Sequence, residues 1–264
     1  MMEKIIFGRY LPANSILHRM DPRSKLIIIF LFIAVVFLAN NVPTNLLLSA
    51  FTIVTVLVSK IPIKFLFNGL KFLFWIILFT FILHILFTRD GELLFQFGWF
   101  KVYEYGLRQG ILISLRFTYL ILITSLLTLT TSPIEITEGL EKLMSPLRKI
   151  RFPVHELALM MSIALRFIPT LMDETDKILK AQMARGVEFH GSLKKRIQAI
   201  VPLLIPLFIG AFKRADELAV AMEARGYRGG QGRTKYRQLH WGIKDSVAIV
   251  LIIGLGIALF FLRS

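Results

Sequence analysis

The sequence predicts an all-α membrane protein with about five transmembrane helices and a cytoplasmic domain built on two long helices. Composition is the first reason: 55% of the 264 residues are hydrophobic and 23 are Phe, more apolar surface than a soluble core of this size can bury. The second is a set of apolar runs that approach the roughly 20 residues of a membrane-crossing helix. The third is a repeated Ala-Arg-Gly triplet, which ends each of two long helix-forming segments.

Charge and cysteine content restrict the function further. The net charge of +15 indicates either nucleic acid or the inner face of an anionic membrane as a neighbour. Since the apolar runs favour the membrane, no nucleic-acid partner is expected. The absence of cysteine excludes disulfides, thiolate metal sites and cysteine nucleophiles. The segment before the first apolar run is expected to be retained, because that run continues directly into a second one, unlike a cleaved signal peptide.

Five apolar segments are interpreted as spans. The first two are short and flank a polar turn at 40–45, so we interpret them as two helices joined by a tight hairpin. A single re-entrant hairpin over 26–58 is the alternative. The other three are long enough to cross a bilayer about 30 Å thick. In order, the five segments are 26–39, 46–58, 65–87, 110–131 and 243–262.

The distribution of Lys and Arg predicts the orientation, because short cytoplasmic loops retain positive charge. Cations precede the first span and follow the second, whereas the turn at 40–45 has none and the charges of 88–109 cancel. The stretch 132–244 has 19 Lys and Arg against 11 Asp and Glu, a net charge of +8. The N-terminus and this stretch are therefore expected in the cytoplasm, with the C-terminus outside.

Three regions are expected from this pattern. Residues 1–131 form a membrane domain of four spans, 132–242 a cytoplasmic or interfacial domain, and 243–264 a C-terminal transmembrane helix. The middle region opens with Ser132, Pro133 and Glu135, the pattern of a capping box that begins a helix running to about Met144.

Two long segments follow within the middle region, one from Val154 to Arg185 and one from Ile197 to Arg225. Each is long enough for a helix of about 45 Å if its internal prolines only bend it. Their apolar halves resemble further spans. However, one extra crossing would place Arg185 and Arg225 on opposite sides of the membrane and strand a charge in lipid. We therefore assign both helices to the cytoplasmic interface.

The ends of these two helices are the candidate binding site. Ala184, Arg185 and Gly186 recur as Ala224, Arg225 and Gly226, with the arginines 40 residues apart. One Arg-Gly pair is a common helix end. Two copies on similar segments indicate a pair of cationic tips that can dock onto two soluble partners. Arginine offers a rigid fork of donors for such contacts, and glycine ends the helix and permits close approach.

No catalytic, metal or cofactor site is predicted. The five His residues show no ligand spacing. The glycine-rich stretch 226–233 lacks the Gly-Lys-Ser/Thr ending of a nucleotide-binding loop, so this chain is not expected to bind ATP. Arg116, inside the fourth span, is interpreted as extending toward the outer interface, and a bond to a carboxylate or to loop carbonyls near the outer face is the alternative.

The residues also resemble a known family. Gly8-Arg9-Tyr10, Ser15, the stretch 18–25 and the two Ala-Arg-Gly tips are together similar to the transmembrane T component of energy-coupling factor transporters, the ABC-type vitamin and metal uptake systems of prokaryotes. The resemblance covers essentially the whole chain. Within 18–25, Asp21, Pro22 and Arg23 form an N-terminal motif for which a structural role is expected, most simply as a cap of the first span.

The resemblance implies a non-catalytic scaffold. Its coupling domain would cross two long helices and insert their tips into two ABC ATPase subunits, which bind the ATP. One membrane-embedded S component would bind the vitamin or metal ion. Two alternatives stay open. A permease of another ABC-type importer would usually offer one coupling helix, and a membrane enzyme acting on lipid-linked substrates would need a cluster of acids or histidines at the membrane edge.

Overall fold

The computed structural model describes residues 10–97, 100–187, 193–229 and 238–263. These are almost entirely helical, and the predicted all-α membrane fold is confirmed. A short 3-10 helix, Ser145–Ile150, precedes the two longest helices. The helices are α1 Pro22–Val36, α2 Val42–Ser59, α3 Ile63–Phe87, α4 Glu104–Thr130, α5 Pro133–Leu143, α6 Val154–Ala184, α7 Leu193–Ala224 and α8 Ile243–Leu262.

A β-hairpin between α3 and α4 was not predicted. Its strands, β1 Leu93–Phe97 and β2 Phe100–Tyr103, pair antiparallel. Gly91, with a φ of +94°, turns the chain before β1. The loop contains Leu- and Phe-rich stretches, and its aromatic residues have high strand propensity, which the balance of charges in the loop does not reveal. The hairpin also sets the start of α4 at Glu104, six residues before the predicted Gly110.

The chain forms two compact units. One is Leu143–Gln238 over its described residues, and the other combines Phe7–Lys142 with Leu239–Ser264. In the second unit, α8 packs against α1 and α2 although more than 180 residues separate it from either helix in sequence. Helix α5 belongs to this unit, apart from its last residue. The predicted three-region division stays a prediction.

The core of the unit that contains α1 is formed mainly by α1, α2, α4 and α8, and α3 adds Leu66. Phe32 of α1, Leu48 of α2, and Ile252 and Leu259 of α8 are almost completely buried, and α4 adds Leu126. Many other apolar side chains on these helices are exposed. Since a soluble protein rarely exposes so many large apolar side chains, these faces are suited to lipid.

Four helices in the described part of the chain are long and apolar enough to cross a membrane, namely α2, α4, α6 and α8. Helix α1 has 15 residues, about 22 Å at 1.5 Å per residue, and the described apolar part of α3 is Leu73–Phe87. Helix α6 is among these four, although its segment was assigned above to the cytoplasmic interface. The count of five spans therefore stays a prediction.

A buried carboxylate joins the starts of α1 and α8. Asp245 Oδ1 accepts hydrogen bonds from the Asp21 backbone N at 2.9 Å and from Ser24 Oγ at 2.5 Å, while its Oδ2 accepts one from Gly242 N at 2.8 Å. Asp21 and Gly242 are the N-cap residues of α1 and α8. One side chain thus satisfies the N-cap amides of two helices that are distant in sequence.

Removing this carboxylate is expected to destabilise the unit. Asp245→Ala leaves two backbone amides without their acceptor, each costing about 1–3 kcal/mol when buried, whereas the Ser24 hydroxyl keeps the Asp21 carbonyl as an acceptor at 2.7 Å. The purified protein in detergent should therefore unfold at a clearly lower temperature. Ser246→Ala is the control, because Ser246 only accepts a bond from Trp241 in an exposed position. Equal melting temperatures for the two variants would contradict this role of Asp245.

Candidate functional site

Helix α6 ends in a Schellman motif at the first Ala-Arg-Gly triplet. Gly186 has a φ of +87°, and its N–H donates to the Met183 carbonyl at 3.0 Å. The N–H of the next residue, Val187, donates to the Gln182 carbonyl at 3.1 Å. This pair of bonds satisfies the last carbonyls of a helix and requires the left-handed conformation that glycine adopts without strain.

Helix α7 ends in the same way at the second triplet. Gly226 has a φ of +73°, and its N–H donates to the Glu223 carbonyl at 2.8 Å. The Tyr227 N–H donates to the Met222 carbonyl at 3.0 Å. The repeated sequence therefore folds into a repeated backbone structure, which places Arg185 and Arg225 at the equivalent C-cap position of each helix.

Both tips are exposed. All three residues of the first triplet, 184–186, are exposed to solvent, and so are all three of the second, 224–226. A Cβ added to either glycine would meet no atom within 4 Å. Each tip thus presents an arginine fork on a narrow helix end, with room for a groove to enclose it.

Helices α6 and α7 contact each other at a small and charged site. Arg214 of α7 forms an ion pair with Glu174 of α6, and both side chains are 27% exposed. Gly210 lies one turn before Arg214, where an added Cβ would be 3.1 Å from Glu174 Oε1. The glycine therefore permits the close approach that brings the two charges together.

The contact has the same position in both repeats. Glu174 precedes Arg185 by 11 residues, and Arg214 precedes Arg225 by 11. At 1.5 Å per residue, each tip lies about 16 Å beyond the contact. Both helices run without interruption through their internal prolines over 31 and 32 residues. The result is a pair of matched arms joined by an ion pair at equivalent positions.

The glycines of the tips can be tested by substitution. Gly186→Ala forces a left-handed alanine, which costs about 1–2 kcal/mol, so the Val187 amide is expected to exchange its hydrogen roughly five- to thirty-fold faster. Gly226→Ala should do the same at Tyr227. Gly254→Ala in α8 is the control, since its Cβ would enter open space in a helical position. Unchanged exchange at both tips would contradict the Schellman assignment.

The N-terminal motif lies in the other unit. Asp21 Oδ1 accepts from the Arg23 backbone N at 2.8 Å and so caps α1, in which Pro22 is the first residue. The Arg23 guanidinium binds the same carboxylate at 2.7 Å and lies 5.6 Å from the Trp241 ring. The described contacts of the motif hold the start of α1 against the segment before α8. Gly8 and Arg9 lie outside the described residues.

Sequence reasoning missed three residues of this architecture, which are Glu174, Arg214 and Asp245. The first two carry a detectable signal, because they are separated by the same 40 residues as the two tips. Asp245 shows a local N-cap contact with Gly242, three residues away, but nothing local indicates its partners on α1, which lie 221 and 224 residues away. Within the described ranges, no three His, Asp or Glu side chains are grouped so that they could hold a metal ion.

Similarity to known proteins extends over the whole chain. The family model described as Cobalt transport protein (CbiQ) matches residues 13–236. A relative from Bacillus subtilis (strain 168), named energy-coupling factor transporter transmembrane protein EcfT, is 66% identical over 265 residues, covering 100% of both chains. Proteins of the same name are 56% identical over 265 residues in Listeria innocua, covering 100% of both chains, and 55% identical over 261 residues in Exiguobacterium sibiricum, covering 98% of this chain and 99% of the relative.

Proposed function

We propose a specific role for this chain, which belongs to the CbiQ family and is the transmembrane component of an energy-coupling factor transporter. It is accordingly a non-catalytic transporter subunit in the membrane. In the proposed role it binds two ABC ATPase subunits through its two tips and passes their ATP-driven movement to one membrane-embedded S component. That S component, and not this chain, binds the vitamin or metal ion.

The observation that supports this role is the equivalence of the two tips. Arg185 and Arg225 occupy the same C-cap position on two helices that contact each other at equivalent residues. Two equivalent ATPase subunits need two equivalent contacts on an asymmetric membrane subunit. An importer permease with one coupling helix would need only one, which is why the duplicated tip favours the proposed role over that alternative.

Contacts within the unit of α1 and α8 support the proposed orientation. Asn41, in the turn between α1 and α2, donates from Nδ2 to the Arg263 carbonyl at 3.2 Å. Arg116 donates to Ala39 in the same turn at 3.1 Å, which is the alternative raised for it above. Lys25, at the start of α1, donates to the Thr130 carbonyl at the end of α4 at 3.0 Å. These contacts put the start of α1 and the end of α8 at opposite ends of the helices, as the proposed orientation requires, while the assignment of the cytoplasmic side rests on the distribution of Lys and Arg.

Copurification tests the proposal. The full-length chain, expressed from its native host with an affinity tag and extracted in mild detergent, should carry two ATPase chains and one small membrane protein per copy. Quantitative mass spectrometry of the intact complex measures these ratios. Recovery of a single ATPase chain with a second permease, or of this chain alone, would contradict the proposed assembly.

A further inference from the structure

A cavity of about 430 Å³ lies among α1, α2, α4 and α8. All of its lining residues belong to the unit that these four helices form. The lining is predominantly apolar, with Phe32, Phe51 and Leu251 among the contributors. Lys25 and Lys244 supply positive charge to it, and no Asp or Glu is among its described lining residues. The cavity is thus an apolar space with cations in its wall.

The cations lie at one end of this cavity. Its lining extends from Lys25 to Phe32 along α1 and from Lys244 to Leu251 along α8. Each distance is seven residues, about 10 Å at 1.5 Å per residue. Both lysines lie in the first turns of their helices, where a membrane helix meets the interface. The apolar part therefore reaches most of the way into one leaflet, whose hydrocarbon layer is about 15 Å deep.

The two lysines can serve an anion in different ways. Lys25 is 6% exposed, and its Nζ donates to the Thr130 carbonyl and to Thr131 Oγ1, both at 3.0 Å. An ammonium group has three donors, so these two bonds leave one proton for a further acceptor. Lys244 is exposed and is the more accessible of the two cations.

The nearby carboxylates are engaged elsewhere. Asp21 is paired with Arg23, and Asp245 accepts three hydrogen bonds from Asp21 N, Ser24 Oγ and Gly242 N. Glu135 also interacts electrostatically with Lys25, and its Oε2 accepts a hydrogen bond from Ser132 N at 3.1 Å. None of the three carboxylates belongs to the cavity wall. The charge that an occupant of the cavity meets directly is therefore positive.

We propose that this cavity is a binding site for an anionic phospholipid. One acyl chain occupies the apolar part between α1, α2 and α8, and the phosphate lies at the interface beside Lys244. The third N–H of the Lys25 ammonium group donates a hydrogen bond to this phosphate. The lysines attract a negatively charged headgroup, which gives the site its preference for an anionic lipid.

The charge of this cavity favours a lipid over a partner's helix. A single alkyl chain is also much thinner than an α-helix about 10 Å in diameter and can extend over the full depth. The two lysines also complement a phosphate, whereas a transmembrane helix would place apolar side chains against them.

Native mass spectrometry of the purified full-length chain tests this site. The probes are phosphatidylglycerol and phosphatidylcholine with identical acyl chains, added to delipidated protein in detergent. The wild-type chain is expected to retain one phosphatidylglycerol at a concentration at least about tenfold lower than phosphatidylcholine. Equal retention of the two lipids would overturn the proposal.

Matched variants locate the lipid. Val247→Phe fills the cavity, because Val247 lines it, and should abolish retention of phosphatidylglycerol. Val250→Phe is the control, because Val250 is 67% exposed on the same helix and lies outside the lining. Lys244→Gln should weaken retention of phosphatidylglycerol to the level of phosphatidylcholine, while Lys213→Gln in α7 should not. Unchanged retention in Val247→Phe, with both α8 variants folded, would overturn the proposal.

Photocrosslinking within the intact transporter separates a lipid from a protein occupant. A phosphatidylglycerol that carries a diazirine on its acyl chain should label 25–32 and 244–251. Conversely, a photoreactive amino acid placed at 247 should capture lipid. Capture of a partner membrane protein at that position, in place of lipid, would overturn the proposal while leaving the proposed coupling role intact.

Discussion

Combined replacement of Arg185 and Arg225 by Glu is expected to abolish association with the ATPase subunits. Each arginine is exposed at a helix tip, where it can bind a carboxylate or a backbone carbonyl of the partner through two donors. Replacing such an arginine by Glu removes one member of a charged pair and adds a negative charge, which costs about 2–5 kcal/mol of binding free energy per interface. A complex that loses this binding free energy at both tips is expected to dissociate during purification. Copurification in detergent measures it directly.

The single replacements refine this result. Arg185→Glu and Arg225→Glu should each leave one tip intact and therefore weaken association without eliminating it. Lys213→Glu makes the same charge change on an exposed face of α7. The Lys213 side chain is 77% exposed, and its Nζ lies 4.0 Å from Glu217 Oε1. Such surface pairs contribute little, so this control should bind normally. Full ATPase binding by the double variant, inserted normally in the membrane, would remove the basis of the proposed site.

Local signals in the sequence predicted the ends of several helices correctly. The capping box at the start of α5 is formed, since Ser132 N donates to Glu135 Oε2 at 3.1 Å and Glu135 N donates to Ser132 Oγ at 3.3 Å. Both glycine stops fall at the predicted residues, Gly186 and Gly226. These features depend on groups within a few residues of one another, so their chemistry is visible in the sequence.

Features that depend on distant residues were not predicted. The carboxylate of Asp245 serves the start of α1 only because α8 returns to pack beside it. Nothing near Asp245 in the sequence indicates that partner. The hairpin of β1 and β2 was missed for a different reason, because charge counting across a loop does not consider strand propensity. Of the candidate site, the repeated tips were evident, but the contact between their helices was not.

Reversing the charge of Arg214 is expected to abolish transport while leaving ATPase association intact. Arg214→Glu places two carboxylates against each other at the contact of α6 and α7, in a site that is only 27% exposed. Their repulsion replaces an attraction and separates the helices where they meet. The tips are about 16 Å away from this site and keep their own backbone structure. Each arm should still bind the ATPase subunit proposed for it, but the two arms should no longer move as one body.

Restoring the pair in the opposite sense distinguishes this mechanism from simple misfolding. Glu174→Arg combined with Arg214→Glu places opposite charges at the same positions again, and Gly210 still permits the approach of either side chain. Substrate uptake into proteoliposomes should therefore be low for each single variant and recover substantially in the double variant. The two single variants and the double variant form a double-mutant cycle, which isolates the interaction between the two charges. If the pair transported no better than Arg214→Glu alone, the ion pair would not be what transmits movement between the arms.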